Sequence, residues 1–227
     1  KEQRIYGCEL IQQAGYLLRL QQVTTATGQI LFQRFFHNES MKAYDVRFVA
    51  MGALFLASKV AENMRAPRVV VSTFYKIMQP GFPPIEIASQ QYWDMKEGMF
   101  QAEMRILRSL GFRTKVQHSH KFLLMYAKIL SLDSETLQYA WNSANDALKT
   151  SVIIRWGESP WVIASACIYF AIRQLKKKPL PPLWYELFDT TLDEILEVIG
   201  EIIEINSRTE PAHWILLKGA SRQYLDI

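Results

Sequence analysis

The sequence predicts an all-α protein of two five-helix lobes, each built around a buried third helix. Three observations carry this. Apolar residues recur at helical spacings along the chain, and no stretch alternates long enough to make a convincing strand. Phe48 to Ala57 is apolar all round yet too short to span a bilayer, so other helices must surround it. Its Ala50, Gly52, Ala53 and Ala57 let those neighbours approach closely. Sliding the chain by 114 residues lays Val49-Ala50 over Ile163-Ala164, Ala53 over Cys167, Leu54-Phe55-Leu56-Ala57 over Ile168-Tyr169-Phe170-Ala171, and Lys59 over Arg173. The small-residue helix is therefore repeated.

The first lobe is expected to hold helices near 3–20, 23–37, 45–63, 68–79 and 94–110. The third is the all-apolar segment, closing in Ser58-Lys59. A loop from Gln79 to Trp93, with Pro80, Gly81, Pro83 and Pro84, precedes the fifth. Asp94 and Glu97 there have capping-box spacing, and Phe100, Leu107 and Leu110 form its stripe. Gly111 ends it. The second lobe is expected near 118–131, 134–150, 159–176, 182–188 and 191–207. Ser159-Pro160 offers an N-cap with Pro at the first helical position. Lys176-Lys177-Lys178 before Pro179 reads as a helix C-terminus. Thr191 and Glu194 again have capping-box spacing. Leu192, Ile195, Ile199 and Ile202 then share a face against Glu194, Glu197, Glu201 and Glu204, an amphipathic helix packed on a core.

With 227 residues, 49% of them hydrophobic, the chain can bury one large core or two smaller ones. Aromatics at 12% argue against disorder. No window of 18 apolar residues occurs, so no membrane-spanning helix is expected. The chain begins at Lys1 without Met and shows no signal-peptide pattern, as expected of a piece trimmed from a longer protein. Cys8 and Cys167 sit in apolar helical patterns and read as buried thiols of a reducing compartment, nucleus or cytosol. The net charge of +4 comes wholly from residues 1–112, since 113–227 balance. That excess is mild and forms no basic stripe with interleaved aromatics, so direct nucleic-acid binding is not expected.

One pair of charges stands out. Lys59 falls on the face of Gly52, Phe55 and Leu56, and Glu103 falls on the stripe of Phe100, Leu107 and Leu110. A charge on an apolar face is costly unless paired. These two are candidates to meet, either as an internal tie between helices or as part of a partner-binding surface. No catalytic set is evident. The ten glycines are dispersed and form no phosphate cradle. Ser58, Ser159 and Ser165 have no local base. The histidines are His37, His118, His120 and His213; His118 and His120 lack nearby Cys or carboxylates and read as a polar helix entry, not a metal site. No cofactor or metal is expected. Cys8, Tyr6, Met95, Met99 and Met104 read as packing.

The chain resembles the cyclins, with two cyclin boxes: 1–112, 113–208, and an extension over 209–227. LASKVAE (56–62) resembles the end of the third helix of a cyclin box, and QAEMRILRSLGF (101–112) the fifth helix and its exit, with Phe112 nine residues after Glu103. Within the family, GCELIQQAGYLLRL (7–20), ATGQILFQRFF (26–36), His118 to Lys121 and ACIYFA (166–171) are most similar to the cyclin L subgroup. The resemblance implies a regulatory subunit, not an enzyme. Its expected partner is a nuclear cyclin-dependent kinase of the PITSLRE type, acting in transcription and pre-mRNA splicing. A cyclin T- or K-like partner of an RNA polymerase II kinase, or a nucleic-acid-binding factor with tandem cyclin-like folds, are the alternatives. Carried over from the family, the kinase-binding residues are Lys59, Glu103, Phe112, Val60, Phe55 and Glu62. Two departures matter. Ala61 replaces the first of two acids common after the third-helix lysine. Gln3-Arg4-Ile5-Tyr6-Gly7 keeps only the Arg of the substrate-docking patch of cell-cycle cyclins, so docking by that route is not expected.

Overall fold

A computed structural model describes residues 1–208, which contain helices and no strand. They fall into two units, Lys1–Val116 and Gln117–Arg208. The expected extension over 209–227 lies outside the described residues.

The first unit holds α1 (Glu2–Leu17), α2 (Gln22–Asn38), α3 (Val46–Val60), α4 (Pro67–Met78) and α5 (Gln90–Ser109). Helix α3 buries Val46 and every residue from Val49 to Ser58. It packs against all four of the others. The second unit holds α6 (Ser119–Ile129), α7 (Ser134–Ala147), the single turn α8 (Val152–Arg155), α9 (Pro160–Gln174), a 3₁₀ helix (Trp184–Phe188) and α10 (Leu192–Asn206). Here α9 is the hub, touching α6, α7, α10 and the 3₁₀ helix. Both hubs have 15 residues, and their bounds are offset by the 114 residues that the sequence repeat requires. The all-α, two-lobe expectation holds.

Several bounds differ from expectation, each for a local reason. Helix α5 starts at Gln90, not Asp94, because Ser89 caps it: its hydroxyl accepts from the Tyr92 N–H at 3.2 Å. Asp94 lies inside the helix, where its carboxylate takes the Gln90 amide at 2.7 Å. The extra turn carries Tyr92, which is buried. Helices α1, α3, α6 and α9 end earlier than their apolar pattern does. Each closes in a left-handed residue, Arg19, Glu62, Ser131 and Lys176, as α5 does in Gly111. Each turn is locked by a backbone bond back over the last turn, for instance Leu20 N–H to Gly15 O and Asn63 N–H to Ser58 O at 2.9 and 2.8 Å. Only one of these five stops is marked by glycine, the residue that takes φ > 0 without a Cβ penalty. The helix expected over 134–150 ends at Ala147, and the single turn α8 follows, because the Thr150 hydroxyl donates to Ala147 O at 2.8 Å and accepts from Val152 N–H at 3.2 Å. Ser159 precedes Pro160 as expected but makes no side-chain cap, whereas Thr191 and Glu194 form the complete capping box.

Residues 113–116 follow the Gly111 stop yet stay with the first unit. Arg34 Nη1 donates to Lys115 O at 3.3 Å, and Val116 packs on the first core. Arg4, the one residue retained from the docking patch, works inward. Its guanidinium donates to Phe36 O at 2.9 Å and Gln33 Oε1 at 3.3 Å, tying α1 to the end of α2. Cys8 and Cys167 are buried thiols with no exposed surface, and neither forms a disulfide.

His118 and His120 open the second unit. Burial and the neighbouring His120 push His118 down to about 4. Burial also lowers His120, opposed by its 2.8 Å contact with Asn145 Oδ1. Both shifts are downward, so the unfolded chain takes up protons first, near the ordinary value of 6.5. Their stabilising contribution is complete above that pH and is lost as pH falls from 6.5 through about 4. The melting temperature is expected to be flat from pH 8 to 7 and to fall below 6.5, less steeply in His118→Gln. Differential scanning fluorimetry across that range measures it; equal slopes in the two proteins would refute the assignment to His118.

Candidate partner-binding site at the α3–α5 rim

Helices α3 and α5 meet at glycine. A Cβ built on Gly52 would lie 2.8 Å from the Ala102 Cβ and 2.9 Å from the Glu103 backbone nitrogen. Only a missing side chain lets the two backbones come this close. The close approach sets Glu103 beside the last turn of α3, within reach of Lys59 seven residues beyond Gly52. Gly52→Ala is therefore expected to cost ~1–3 kcal/mol in urea unfolding, as overpacking does. Gly200, in the interior of α10, has nothing within 4 Å of a built Cβ. Gly200→Ala is expected to gain ~0.5–1 kcal/mol in the same assay by removing glycine's conformational freedom. Destabilisation by both, or by neither, would show that helix separation is not the cause.

The two predicted charges do meet. Lys59 Nζ donates to Glu103 Oε1 at 2.8 Å and to Oε2 at 3.0 Å. Their burial is unequal: the lysine side chain is 39% exposed and the glutamate 9%. The ammonium also lies 4.2 Å from the centre of the Phe55 ring, a cation–π contact. Phe55 packs edge-on to Phe100 of α5 at 5.7 Å between centroids. The carboxylate and the ring thus hold a partly exposed cation in one position. The chemistry is that of a preorganised hydrogen-bond donor, not of a nucleophile or a base.

The other predicted residues divide by exposure. Phe112 is 66% exposed, with φ at +61°, and is no part of the core. Val60 is 41% exposed, and Glu62 is exposed on the left-handed turn that ends α3. Phe55, expected as a surface contact, is instead 2% exposed. It supports Lys59 from within, because position 55 of α3 faces Phe100. Met104, expected as packing, is 45% exposed, whereas Met95 and Met99 are buried. It is the next residue after Glu103, so a helical step of about 100° turns it off the packed face. Ala102 and Arg65 were not singled out by sequence. Arg65 donates to Leu18 O and Arg19 O, both at 3.2 Å, and so closes the carbonyl end of α1. No periodic pattern marks such a cap.

Among the described residues no group of three or more His, Cys, Asp or Glu is arranged to hold a metal ion. No described helix is long and apolar enough to cross a membrane. Two helical units on matching hubs, one with a fixed, partly exposed cation at the α3–α5 rim, define an all-α protein of tandem helical repeats. The family profile described as "Cyclin, N-terminal domain" matches residues 1–115, and the chain belongs to the cyclin family. Human Cyclin-L1 is 43% identical over 97% of this chain, and mouse Cyclin-L2 is 42% identical over 90%. The chain spans 43% and 40%, respectively, of the lengths of these two relatives. Among solved structures, the yeast RNA Pol II CTD kinase CTDK-1 complex contains a chain matched at TM-score 0.74 and 21% identity, covering 96% of this chain and 75% of that one. The CAK complex of Chaetomium thermophilum bound to ATP-gamma-S contains another at TM-score 0.65 and 19% identity, covering 98% and 68%. These two likenesses show the fold.

Proposed function

We propose that the chain is the regulatory, activating subunit of a nuclear cyclin-dependent protein kinase and has no catalytic activity of its own. The subgroup reading is cyclin L-like, with a PITSLRE-type kinase as partner and a role in transcription and pre-mRNA splicing. The observation that carries the proposal is the Lys59–Glu103 pair, set at a half-exposed rim by two helices that cannot move apart or together without cost. In this reading the ammonium and carboxylate bond main-chain groups of the kinase small lobe while partly neutralising one another. Val60, Phe112 and the exposed Met104 supply apolar contact, and Glu62 is a rim charge. Phe55 takes part only by holding Lys59.

Activation of this kind is a population shift. A subunit that binds the inward state of the kinase's regulatory helix ~10⁴-fold more tightly than the outward state supplies ~5.5 kcal/mol, enough to invert a 1:99 equilibrium. Inward placement brings that helix's glutamate to the ATP-binding lysine, which phosphoryl transfer requires. A rigid surface is needed for such selectivity, and a hub helix buried on four sides keeps one. The test is reconstitution of the purified chain with PITSLRE-type and cell-cycle kinases side by side. The expected result is binding and stimulated peptide phosphorylation with the first and less with the second. ATP turnover by a preparation shown free of kinase would overturn the regulatory reading. Preference for a cell-cycle kinase would remove the subgroup and leave the class.

A further inference from the structure

The second unit carries a cavity that the α3–α5 rim does not use. It has a volume of about 600 Å³ and runs from the last turns of α9 across the 179–185 segment to Leu192. Roughly 300–1,000 Å³ is the range of ligand sites in general. Its apolar interior is formed by Ile172, Leu180 and Leu192, with Trp184 and Tyr185 alongside. Arg173, Lys176 and Lys177 line it, and among the described residues no carboxylate does.

The three cations are not equivalent. Lys177 is taken: its ammonium donates to Asp133 at 2.9 Å and to Glu135 at 2.5 Å. Arg173 and Lys176 are exposed, and among the described residues neither forms an ion pair with a carboxylate. The Arg173 guanidinium lies over the Tyr169 ring, 5.4 Å from its centre, and Nη2 donates to the Tyr169 hydroxyl at 3.0 Å, which leaves its Nη1 and Nε donors for a ligand. The opposite wall is stiff. Pro179, Pro181 and Pro182 have fixed φ and no N–H, so they offer no competing donor. Leu183 then sits in the left-handed region at φ +59° with 54% of its surface exposed. A bulky residue held there is strained, and such strain is commonly found at ligand clamps.

We infer that this cavity is a docking site for a short phosphoserine-containing peptide of a partner protein, its phosphate on Arg173 and Lys176 and an apolar side chain between Ile172, Leu180 and Leu192. Charge selects the occupant. Two unneutralised cations three residues apart match a dianion better than a single carboxylate, and a guanidinium fork suits phosphate oxygens in pairs. The apolar interior requires more than a free anion. The inference is independent of the kinase reading, since every described lining residue belongs to 169–192 and none to the α3–α5 rim.

The test is fluorescence anisotropy of the whole chain with a fluorescein-labelled peptide pool fixed at phosphoserine and randomised at three positions on either side. Matched serine and glutamate pools and inorganic phosphate are the comparison arms. Saturable binding of the phosphoserine pool, at least about tenfold tighter than either matched pool, is expected. Arg173→Gln and Lys176→Asn should each weaken it severalfold; asparagine keeps the left-handed turn available at 176. Arg173→Lys should fall between wild type and Arg173→Gln. A melting temperature unchanged in these variants excludes unfolding as the cause, and Arg173→Glu at the exposed rim repeats the test by charge reversal. Equal binding of the serine and phosphoserine pools would overturn the proposal. So would full competition by phosphate alone, undiminished binding by the variants, or no saturation with any pool.

Discussion

Glu103→Ala is expected to weaken kinase binding by roughly 30- to 4,000-fold, the ~2–5 kcal/mol that truncating one member of a desolvated interface pair costs. The folded state should survive, changed by less than ~1.5 kcal/mol, because the stranded Lys59 ammonium is already 39% exposed and regains water. Lys59→Ala should differ in a way the geometry dictates. It leaves a carboxylate that is 9% exposed without the cation both its oxygens contact. That uncompensated group should cost ~1–3 kcal/mol of stability in addition to the loss of binding. Thermal and urea unfolding of the free chain, measured beside kinase affinity by calorimetry, separate the two effects. If the pair is only an internal tie, both variants will melt lower and bind the kinase undiminished. The double variant should be non-additive under either outcome, since the side chains are in contact. Equal kinase affinity of wild type and Glu103→Ala would defeat the interface role.

Leu56→Ala should destabilise the first unit by ~2–5 kcal/mol. Leu56 is 4% exposed and sits on the hub helix, with neighbours on all sides and no free face toward which the vacancy can collapse. Its counterpart in the repeat, Phe170, is 5% exposed on α9, and Phe170→Ala should cost ~3–5 kcal/mol in the second unit. Urea unfolding followed by hydrogen exchange of α3 and α9 amides reads each unit by itself. A loss below ~1 kcal/mol at both positions would mean that the hubs are not the centres of their cores.

Much of the α3–α5 site is legible in the sequence. Lys59 and Glu103 could be paired because each broke an otherwise apolar stripe, and a buried charge needs a partner. The same logic could not rank their neighbours. Phe55, Val60 and Phe112 all lie near the pair in sequence, and hydrophobicity treats them alike. Exposure of 2%, 41% and 66% tells them apart, and exposure depends on what α5 covers. Met104, 45% exposed, is decided in the same way.

Local patterning by itself determined that the chain is helical, that it repeats at 114 residues, and which helix in each lobe is the hub. These follow from short-range physics. A helix apolar on every side must be enclosed, and a repeat of that pattern repeats the enclosure. The tertiary structure alone decided that four helices close in a left-handed residue, at Arg19, Glu62, Ser131 and Lys176. Those residues accept a left-handed conformation that none of them favours, because the chain must turn to lay the next helix on the core. It alone also decided that Arg4 faces inward and that Arg173, Lys176 and Leu183 line one cavity. Periodicity reports which face of a helix is apolar, but what covers that face is settled only when the helices pack.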